Sequence, residues 1–573
     1  MVTLKAGTRP PWVGLGAAIW VVIASGNGYN FPLYSHSLKS VLGFNQRQLT
    51  MLGVANDIGE NVGILPGIVC NIVPPWIVLS IGAFACFFGY AVLWLAVTRT
   101  VESLPYWSLW LALCIATNSS AWMNTAVLVT NMRNFPVSRG TVAGIIKGYG
   151  GLSAAVYTEI YIGLLHYSSS KLLMFLVLGV PILCFLVMGL VRPCTPSSWE
   201  GTVEQGHFTF IQAASIVLGI YLLGTTILET VFPLSESSSY GIVIVMVLLL
   251  MAPLAIPLKM TLCRLNPRQS GQAVGSASDG LVDGEGISEK TEPLLIPCSS
   301  AKDLGSCHEN EGLSEVDMLL AEGEGAVRKK RRPKRGEDFK LREAIVKADF
   351  WLLFSVYFVG VGSGVTVLNN LAQIGIALGV HDATILLSLF SFFNFAGRLG
   401  GGVISEHFVR SKMLPRTAWF TCTQVIMIIA YLLFASGSEG TLYAATALLG
   451  LCYGVQFVIM ISTASELFGL QNFGSIFNFM CLGNPLGAFL FSSLLAGYIY
   501  DHEAAKQQGL NLLLSSEQSS CLGPSCFRVT FLVLACVCGV GSILSIVLTI
   551  RIKPVYQMLY SGGSFRHPQG SDH

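Results

Sequence analysis

Apolar positions along this chain neither alternate nor fall on one helical face; they run together. Segments such as Trp76–Ala96 and Ile242–Ile256 contain no charged residue. About 20 residues at 1.5 Å each cross the roughly 30 Å hydrocarbon core of a bilayer. Inside that core each backbone amide must be satisfied within its own segment, so runs of this length read as helices. The pattern predicts about 14 spans, near 12–34, 48–70, 75–97, 107–130, 139–165, 171–192, 209–232, 239–261, 348–370, 382–404, 415–437, 441–465, 474–500 and 527–550. The predicted class is an all-α polytopic membrane protein. The first run follows Lys5 and Arg9 as a signal peptide would. It continues through Gly26-Asn27-Gly28-Tyr29-Asn30 without a small-residue cleavage site, so it reads as a retained helix.

The runs group as six, two and six. Residues 1–193 form an N-terminal six-helix bundle, 194–262 two additional helices, 263–345 a cytosolic disordered linker, and 346–573 a C-terminal six-helix bundle with a short cytosolic tail. The linker is rich in Gly, Ser and Glu and too poor in apolar residues to fold alone. It ends in Arg328-Lys-Lys-Arg-Arg-Pro-Lys-Arg335, which beside a span reads as an anchor for anionic lipid rather than a nuclear localisation signal. Glu315-Val-Asp-Met-Leu319-Leu320 fits an acidic dileucine pattern and offers a contact for a sorting adaptor. Basic loop residues fall mainly on one side: Arg133, Arg139, Arg192, the linker, Arg410, Lys412, Arg416, Arg551 and Lys553. By the positive-inside rule both termini and the linker are cytosolic. The membrane is expected to be the plasma membrane or an endomembrane such as the vacuolar one.

Composition agrees with this picture. Hydrophobic residues make up 53% of the chain and charged ones 12%, far from a soluble domain. A net charge of +2 gives no reason to expect a nucleic-acid partner. Most of the 15 cysteines lie within apolar runs, where they act as small hydrophobes, and no metal-ligand spacing appears. Cys521 and Cys526 stand in a polar loop before the last span; they pair if that loop is extracytosolic and stay free thiols otherwise. No nucleophile with its base, metal cluster or cofactor cradle marks an enzyme. The absence of a Gly-x4-Gly-Lys-Ser/Thr sequence means that ATP does not drive transport directly.

The two six-helix groups repeat. Asn56-Asp-Ile-Gly-Glu60 precedes Asn394-Phe-Ala-Gly-Arg398 by 338 residues, as Leu113-Cys114 precedes Leu451-Cys452 and Phe135 precedes Phe473. Gly148-Tyr-Gly-Gly151 precedes Gly483-Asn-Pro-Leu486 by 335. A parallel repeat with an even number of helices places a transport site between the halves at mid-membrane. The layout resembles the major facilitator superfamily. Gly402-Val-Ile-Ser-Glu406, followed by Arg410 and Lys412, resembles its cytosolic gating loop motif; the N-half counterpart Asn71-Ile-Val-Pro-Pro-Trp76 has lost it. The stretch from Trp12-Val-Gly through Tyr29-Asn-Phe to Met132-Arg-Asn-Phe-Pro136 is similar to the plant nodulin-like branch, and the similarity covers nearly the whole chain. Asn394-x3-Arg398-x3-Gly402-x2-Ser405-Glu406 resembles a helix of oxalate/formate antiporters, in which the arginine holds a substrate carboxylate. Those antiporters add a lysine in the eleventh of their twelve helices; here the segment near 474–500 offers Asn478 and Asn484 instead, which argues against a doubly charged anion.

A charge at mid-bilayer costs about 2.5–3.5 kcal/mol on insertion scales, so each one in a span is a site candidate. They are Asp57 and Glu60, Lys147 and Glu159, and Arg398. Asp57 and Glu60 lie one turn apart on one face. Glu60 and Arg398 hold equivalent places in the repeat and are expected to face each other. Arg398 would bind an anionic group while Glu60 takes a proton or releases the arginine. The alternatives are a structural pair that locks a gate, or a bond from Arg398 to Glu406 two turns away. Lys147 either enters the cavity or snorkels to the cytosolic surface, the second being favoured by its closeness to Arg139. Asn56 and Asn394, Asn27, Asn30 and Asn369 of the first helices, and Gln456 with Asn118, add polar contacts. Gly402, Glu406 and Arg410 form the gating motif, and Glu466 reads as a solvated cap. The expected function is alternating-access, proton-coupled transport of a small polar or anionic solute, monocarboxylate-like by analogy. The rival is a membrane regulator or receptor that uses the linker for docking, as loss of the N-half motif would allow.

Overall fold

A computed structural model describes residues 9–44, 46–101, 104–194, 201–232, 235–264, 336–379, 383–511 and 521–561. The dileucine segment with Glu315, Leu319 and Leu320, and the basic run 328–335, lie outside these. Contacts group the chain into Met1–Thr261 with Lys334–His573, and a second unit, Leu262–Pro333, of which only the first three residues are described.

All fourteen predicted segments are helical. In the N-half these are α1 (Arg9–Ala24) continued by a 3-10 turn (Ser25–Asn30) and α2 (Phe31–Leu42); α3 (Gln46–Asn61) and α4 (Ile64–Val69); α5 (Pro75–Val97), α6 (Tyr106–Asn134), α7 (Arg139–Gly163) and α8 (Ser169–Val187). Proline starts α5 cheaply, because the first-turn N–H it lacks has no partner in any helix. The additional pair is α9 (Gly201–Val231) and α10 (Glu236–Met251), the latter extended by α11 (Ala255–Arg264). The C-half holds α12 (Leu341–Ile345), α13 (Ala348–Ala377), α14 (Ala383–Lys412), α15 (Ala418–Ser436) and α16 (Glu439–Phe468). After it come α17 (Phe473–Cys481), α18 (Gly483–Gly487), a π-helical stretch (Ala488–Ala496), α19 (Gly497–Asn511) and α20 (Ser525–Ser561).

Among the described residues, eleven helical stretches are long and apolar enough to span a bilayer. The other predicted spans, α3 with α4, α6 and α7, are the polar ones, and they turn that polarity inward. Ser119, Ser120 and Thr125 of α6 and Glu159 of α7 are all buried. Outward positions are apolar instead: Phe88, Leu186, Leu248 and Ile550 are each more than 60% exposed, as lipid contact requires.

Three predicted spans are not continuous. The first breaks at Gly26, whose φ of −74° and ψ of 20° leave the helical region. The second breaks between α3 and α4, directly after Asn61; Asn118 Nδ2 donates to the Gly59 and Val62 carbonyls (2.8 and 2.9 Å) that the break would orphan. The span near 474–500 is interrupted at Leu482 and widens into the π-helical stretch.

The repeat is physical. A Cβ on Gly59 would strike the Cys114 carbonyl of α6, and one on Gly397, 338 residues on, would strike the Leu451 carbonyl of α16. Gly26 against Ser153 and Gly362 against Gly487 repeat the same correspondence between first and fifth helices. Small residues at such crossings let the backbones approach. Beside this frame, α9 and α10 lie along α7, where Thr225 Oγ1 donates to Glu159 and Gly163 meets Val243.

Residues 336–345, placed in the linker on composition, fold against the C-half. Phe339 is buried against Phe468, the Phe339 N–H donates to the Phe468 carbonyl (3.0 Å), and the Gln471 N–H donates to Asp338 Oδ1 (2.9 Å). Phe339 and Ala344 supply the apolar surface that the rest of the linker lacks. Cys521 and Cys526 form a disulfide just before α20; Arg551 lies at the opposite end of that helix.

Candidate functional site

α3 ends at Asn61, and its last turns carry Asp57 and Glu60 on one face. α7 brings Lys147, α14 brings Asn394 and Arg398, and the 3-10 turn between α1 and α2 brings Tyr29. α7 and α14 meet so closely that a Cβ on Gly402 would lie 2.5 Å from the Gly140 carbonyl oxygen and 2.9 Å from Gly144 Cα. This crossing holds Arg398 against the N-half.

Arg398 is buried. Its Nε donates to Asn394 Oδ1 (3.0 Å), its Nη1 to the Lys147 carbonyl (3.1 Å), and its guanidinium lies 4.9 Å from the centre of the Phe457 ring. The Tyr29 phenol stands within electrostatic reach of both Glu60 and Arg398, and a Cβ on neighbouring Gly28 would lie 3.0 Å from Glu60 Oε2. Tyr29 is a third side chain beside the predicted encounter of Glu60 with Arg398. Among the described residues no direct salt bridge joins Glu60 or Asp57 to Arg398 or Lys147. Tyr29 is 44% exposed, whereas Arg398 is buried and Glu60 half-buried. Tyr453 is in the same group; its hydroxyl donates to Asn484 Oδ1 (3.4 Å).

Lys147 does not snorkel. Its ammonium stands 5.2 Å from the centre of the Phe477 ring, within electrostatic reach of Glu60 and Arg398. It is not beside Glu159, which is buried at the α7–α9 contact.

Several other predicted contacts belong to packing within a half. Asn27 is fully buried and donates to Ser119 Oγ (2.8 Å). Asn30 is fully buried as well. Gln456 donates to Thr423 Oγ1 (2.9 Å) inside the C-half. Asn56 is buried, and its carbonyl accepts from Thr117 (3.2 Å). Asn369 is exposed on the last third of α13, and its neighbour Asn370 donates to Ser492 (2.9 Å). A polar residue in a span must find a partner, and sequence spacing does not say whether that partner lies in the cavity or in the adjacent helix.

Inter-half hydrogen bonds among the described residues gather toward the end that carries the basic loops. Arg133 donates to the Gln471 carbonyl (2.7 Å), Arg139 to that of Ser465 (3.0 Å) and Arg410 to that of Val137 (2.8 Å). Asn71 meets Ser475 (3.2 Å), Asn478 meets Thr125 (2.9 Å), and Asn484 meets Asn61 (3.3 Å) beside the two helix breaks. The gating motif is engaged here. Glu406 accepts from Arg416 Nη2 (2.7 Å), Arg410 Nε (3.0 Å) and the Gly140 N–H (3.0 Å), and so is not a partner of Arg398. Arg416 is fully buried and also donates to Glu466 (2.8 Å), which accepts from the Tyr556 hydroxyl (2.6 Å). Glu466 is thus an interior ion-pair member, not a solvated cap. Sequence reading counted Arg416 only as a basic loop residue; the signal available was its place one residue after Pro415, at a span entrance.

Residues 11–258 match the Nodulin-like family and 337–558 the NFD4 C-terminal domain. The chain is 30% identical over 569 residues to Protein NUCLEAR FUSION DEFECTIVE 4 of Arabidopsis thaliana, with 96% of this chain and 90% of that protein covered. It is 29% identical over 157 residues to the uncharacterized MFS-type transporter YhjX of Escherichia coli, covering 26% of this chain and 38% of that one. Similar solved structures include the MFS transporter FucP in its outward conformation (TM-score 0.47, 12% identity, 94% of this chain and 98% of that one). The proton:xylose symporter XylE bound to 6-bromo-6-deoxy-D-glucose is another (TM-score 0.49, 9% identity, 94% and 95%).

Proposed function

We propose that this chain, which belongs to the nodulin-like branch of the major facilitator superfamily, is a proton-coupled secondary transporter of a small organic solute with an anionic group. The observation that carries this reading is the half-exposed Tyr29 phenol within electrostatic reach of both Glu60 and Arg398. Arg398 leans on neutral acceptors, the Asn394 amide and a backbone carbonyl, so its charge is not spent on an internal carboxylate. A planar guanidinium in that state suits a carboxylate, which it can bind through two parallel hydrogen bonds. Glu60 takes the proton. Protonation removes its pull on Tyr29 and Arg398, and solute and proton occupancy are linked through one phenol.

The disulfide supports an oxidising compartment on its side of the membrane. The basic loops then face the cytosol, together with both termini and the linker. The closed end is the cytosolic one, and the conformation is outward-open. Glu406, Arg410 and Arg416 act as the lock of that closed end. Alternating access requires the lock to break while the opposite end closes, which a solute can drive only by binding the two states unequally. The resemblance to oxalate/formate antiporters puts monocarboxylates first among anionic solutes. The membrane is the plasma membrane or an endomembrane.

Uptake of labelled metabolites into proteoliposomes, with and without an inward proton gradient, tests this. Gradient-stimulated uptake that Arg398→Lys abolishes supports it. Silence across a broad panel favours the regulator instead.

A further inference from the structure

We propose that residues 336–345, where the linker ends, are a strap that holds the closed end shut through the loop Gly469–Asn472. This rests on reading the inter-half contacts of that end as a gate, and not on any particular solute.

The loop joins α16 to α17 and is gripped from two sides. From the N-half, Arg133 Nε donates to the Leu470 carbonyl (3.2 Å) and its Nη2 to the Gln471 carbonyl (2.7 Å). Arg133 and Gln471 are themselves equivalent in the repeat, 338 residues apart. From the strap, Asp338 Oδ1 accepts from the Gln471 N–H (2.9 Å), and the Phe339 carbonyl accepts from Asn472 Nδ2 (3.1 Å). The Gly336 N–H donates to the Leu467 carbonyl (3.2 Å), two residues before the loop. Gln471 thus gives its N–H to the linker end and its carbonyl to the N-half.

The local sequence fits this approach. Gly469 has a φ of 76° and a ψ of 178°, a backbone conformation that is essentially glycine's alone. A Cβ there would strike Asp338 Oδ1, so the strap could not come so near. The Phe339 ring is buried against Phe468, with Lys347 Nζ 5.6 Å from its centre. Beyond it, Glu343 accepts from the Lys340 N–H (3.0 Å), and Trp351 Nε1 donates to the Ile345 carbonyl (2.8 Å). These ties make the strap move as a unit.

The loop in turn sets the start of α17. The Ser475 N–H donates to the Asn472 carbonyl (3.2 Å), and Ser475 Oγ donates to the Gly67 carbonyl of α4 (3.0 Å). A Cβ on Gly67 would lie 2.5 Å from the Gly474 carbonyl oxygen, so α17 and α4 touch through their backbones. A continuous path runs from strap to loop to α17 to α4, and it crosses from the linker to the closure between the halves. Displacing the strap loosens the loop that Arg133 grips and frees the gate to open. Asp338, the first contact on this path, is exposed.

The test is maleimide labelling of a Ser475→Cys reporter in full-length protein in lipid nanodiscs, which leave both faces accessible, with mass spectrometry reading that position. Asp338→Ala should raise the labelling rate roughly threefold or more, as loss of one hydrogen bond implies. An unchanged melting temperature shows that folding is not the cause. Asp338→Asn, which keeps an acceptor for the Gln471 N–H, should raise the rate less. Arg133→Ala should raise it as well, and Asp338→Ala added to Arg133→Ala should raise it no further, because both act through one loop. Effects of the two that multiply, or an equal rise in Asp338→Asn and Asp338→Ala, overturn the inference. A rise in Arg133→Ala with none in Asp338→Ala overturns the strap and leaves the gate standing. No rise in either overturns both.

Discussion

Glu60 and Arg398, 338 residues apart in sequence and equivalent in the repeat, both act on the Tyr29 phenol, and among the described residues no salt bridge joins them. A direct ion pair would fix the halves together. An intervening hydroxyl lets the two charges communicate while each remains open to a ligand.

Tyr29→Phe removes the link and keeps the ring. A hydrogen bond to a charged group contributes about 1.5–3 kcal/mol, so proton-driven accumulation should fall roughly 10- to 100-fold. Solute exchange in the absence of a gradient should fall much less. Parallel uptake and counterflow assays on the same liposomes measure both.

Arg416→Met removes the buried cation that Glu406 and Glu466 share and leaves Glu406 with Arg410. Breaking a buried pair by removing one partner costs about 3–5 kcal/mol, and the carboxylate that accepts from the Gly140 N–H is held less firmly. The expected outcome is a lower melting temperature and faster maleimide labelling of a Ser475→Cys reporter, which faces Asn71 in the closed end. Unaltered labelling would show that the network does not hold the gate.

The glycine crossings give a packing test. Gly397→Ala forces a methyl group into the Leu451 carbonyl, and Gly59→Ala one into that of Cys114. Overpacking costs about 1–3 kcal/mol, so both variants should melt at lower temperature, by similar amounts. Gly241→Ala on α10 meets nothing within 4 Å and should melt at or above the wild-type temperature. Fluorescence-detected thermal unfolding in detergent reads all three.

Much of this was legible in the sequence because bilayer physics is blunt. Uninterrupted apolar runs located every span, and the offset of 338 exposed the repeat and with it the Glu60–Arg398 relationship. What sequence spacing hid was local geometry. Pro66 and Pro485 mark the breaks after Asn61 and at Leu482, each lacking the N–H that the carbonyl four residues back would accept from; what spacing hid is the distant partner, Asn118, that takes up the freed Val62 carbonyl. Rotation of each helix about its axis was equally hidden, which is why Asn27 and Gln456 turned out to serve their own halves while Lys147 entered the site. The Arg416–Glu466–Tyr556 cluster unites three spans of the C-half, and nothing in their spacing announces it.

The Cys521–Cys526 bridge orients the account. Alkylation of intact cells or vesicles before and after reduction should release two thiols accessible from the extracytosolic side. Labelling from the cytosolic side would reverse the assignment of the closed end.

The most direct test is the simultaneous measurement of solute and proton flux in liposomes containing wild-type protein or Glu60→Gln. The wild type should move protons in fixed ratio with solute, and the variant should exchange solute at a comparable rate with no proton movement. Retention of the wild-type proton-to-solute ratio in Glu60→Gln would contradict the account.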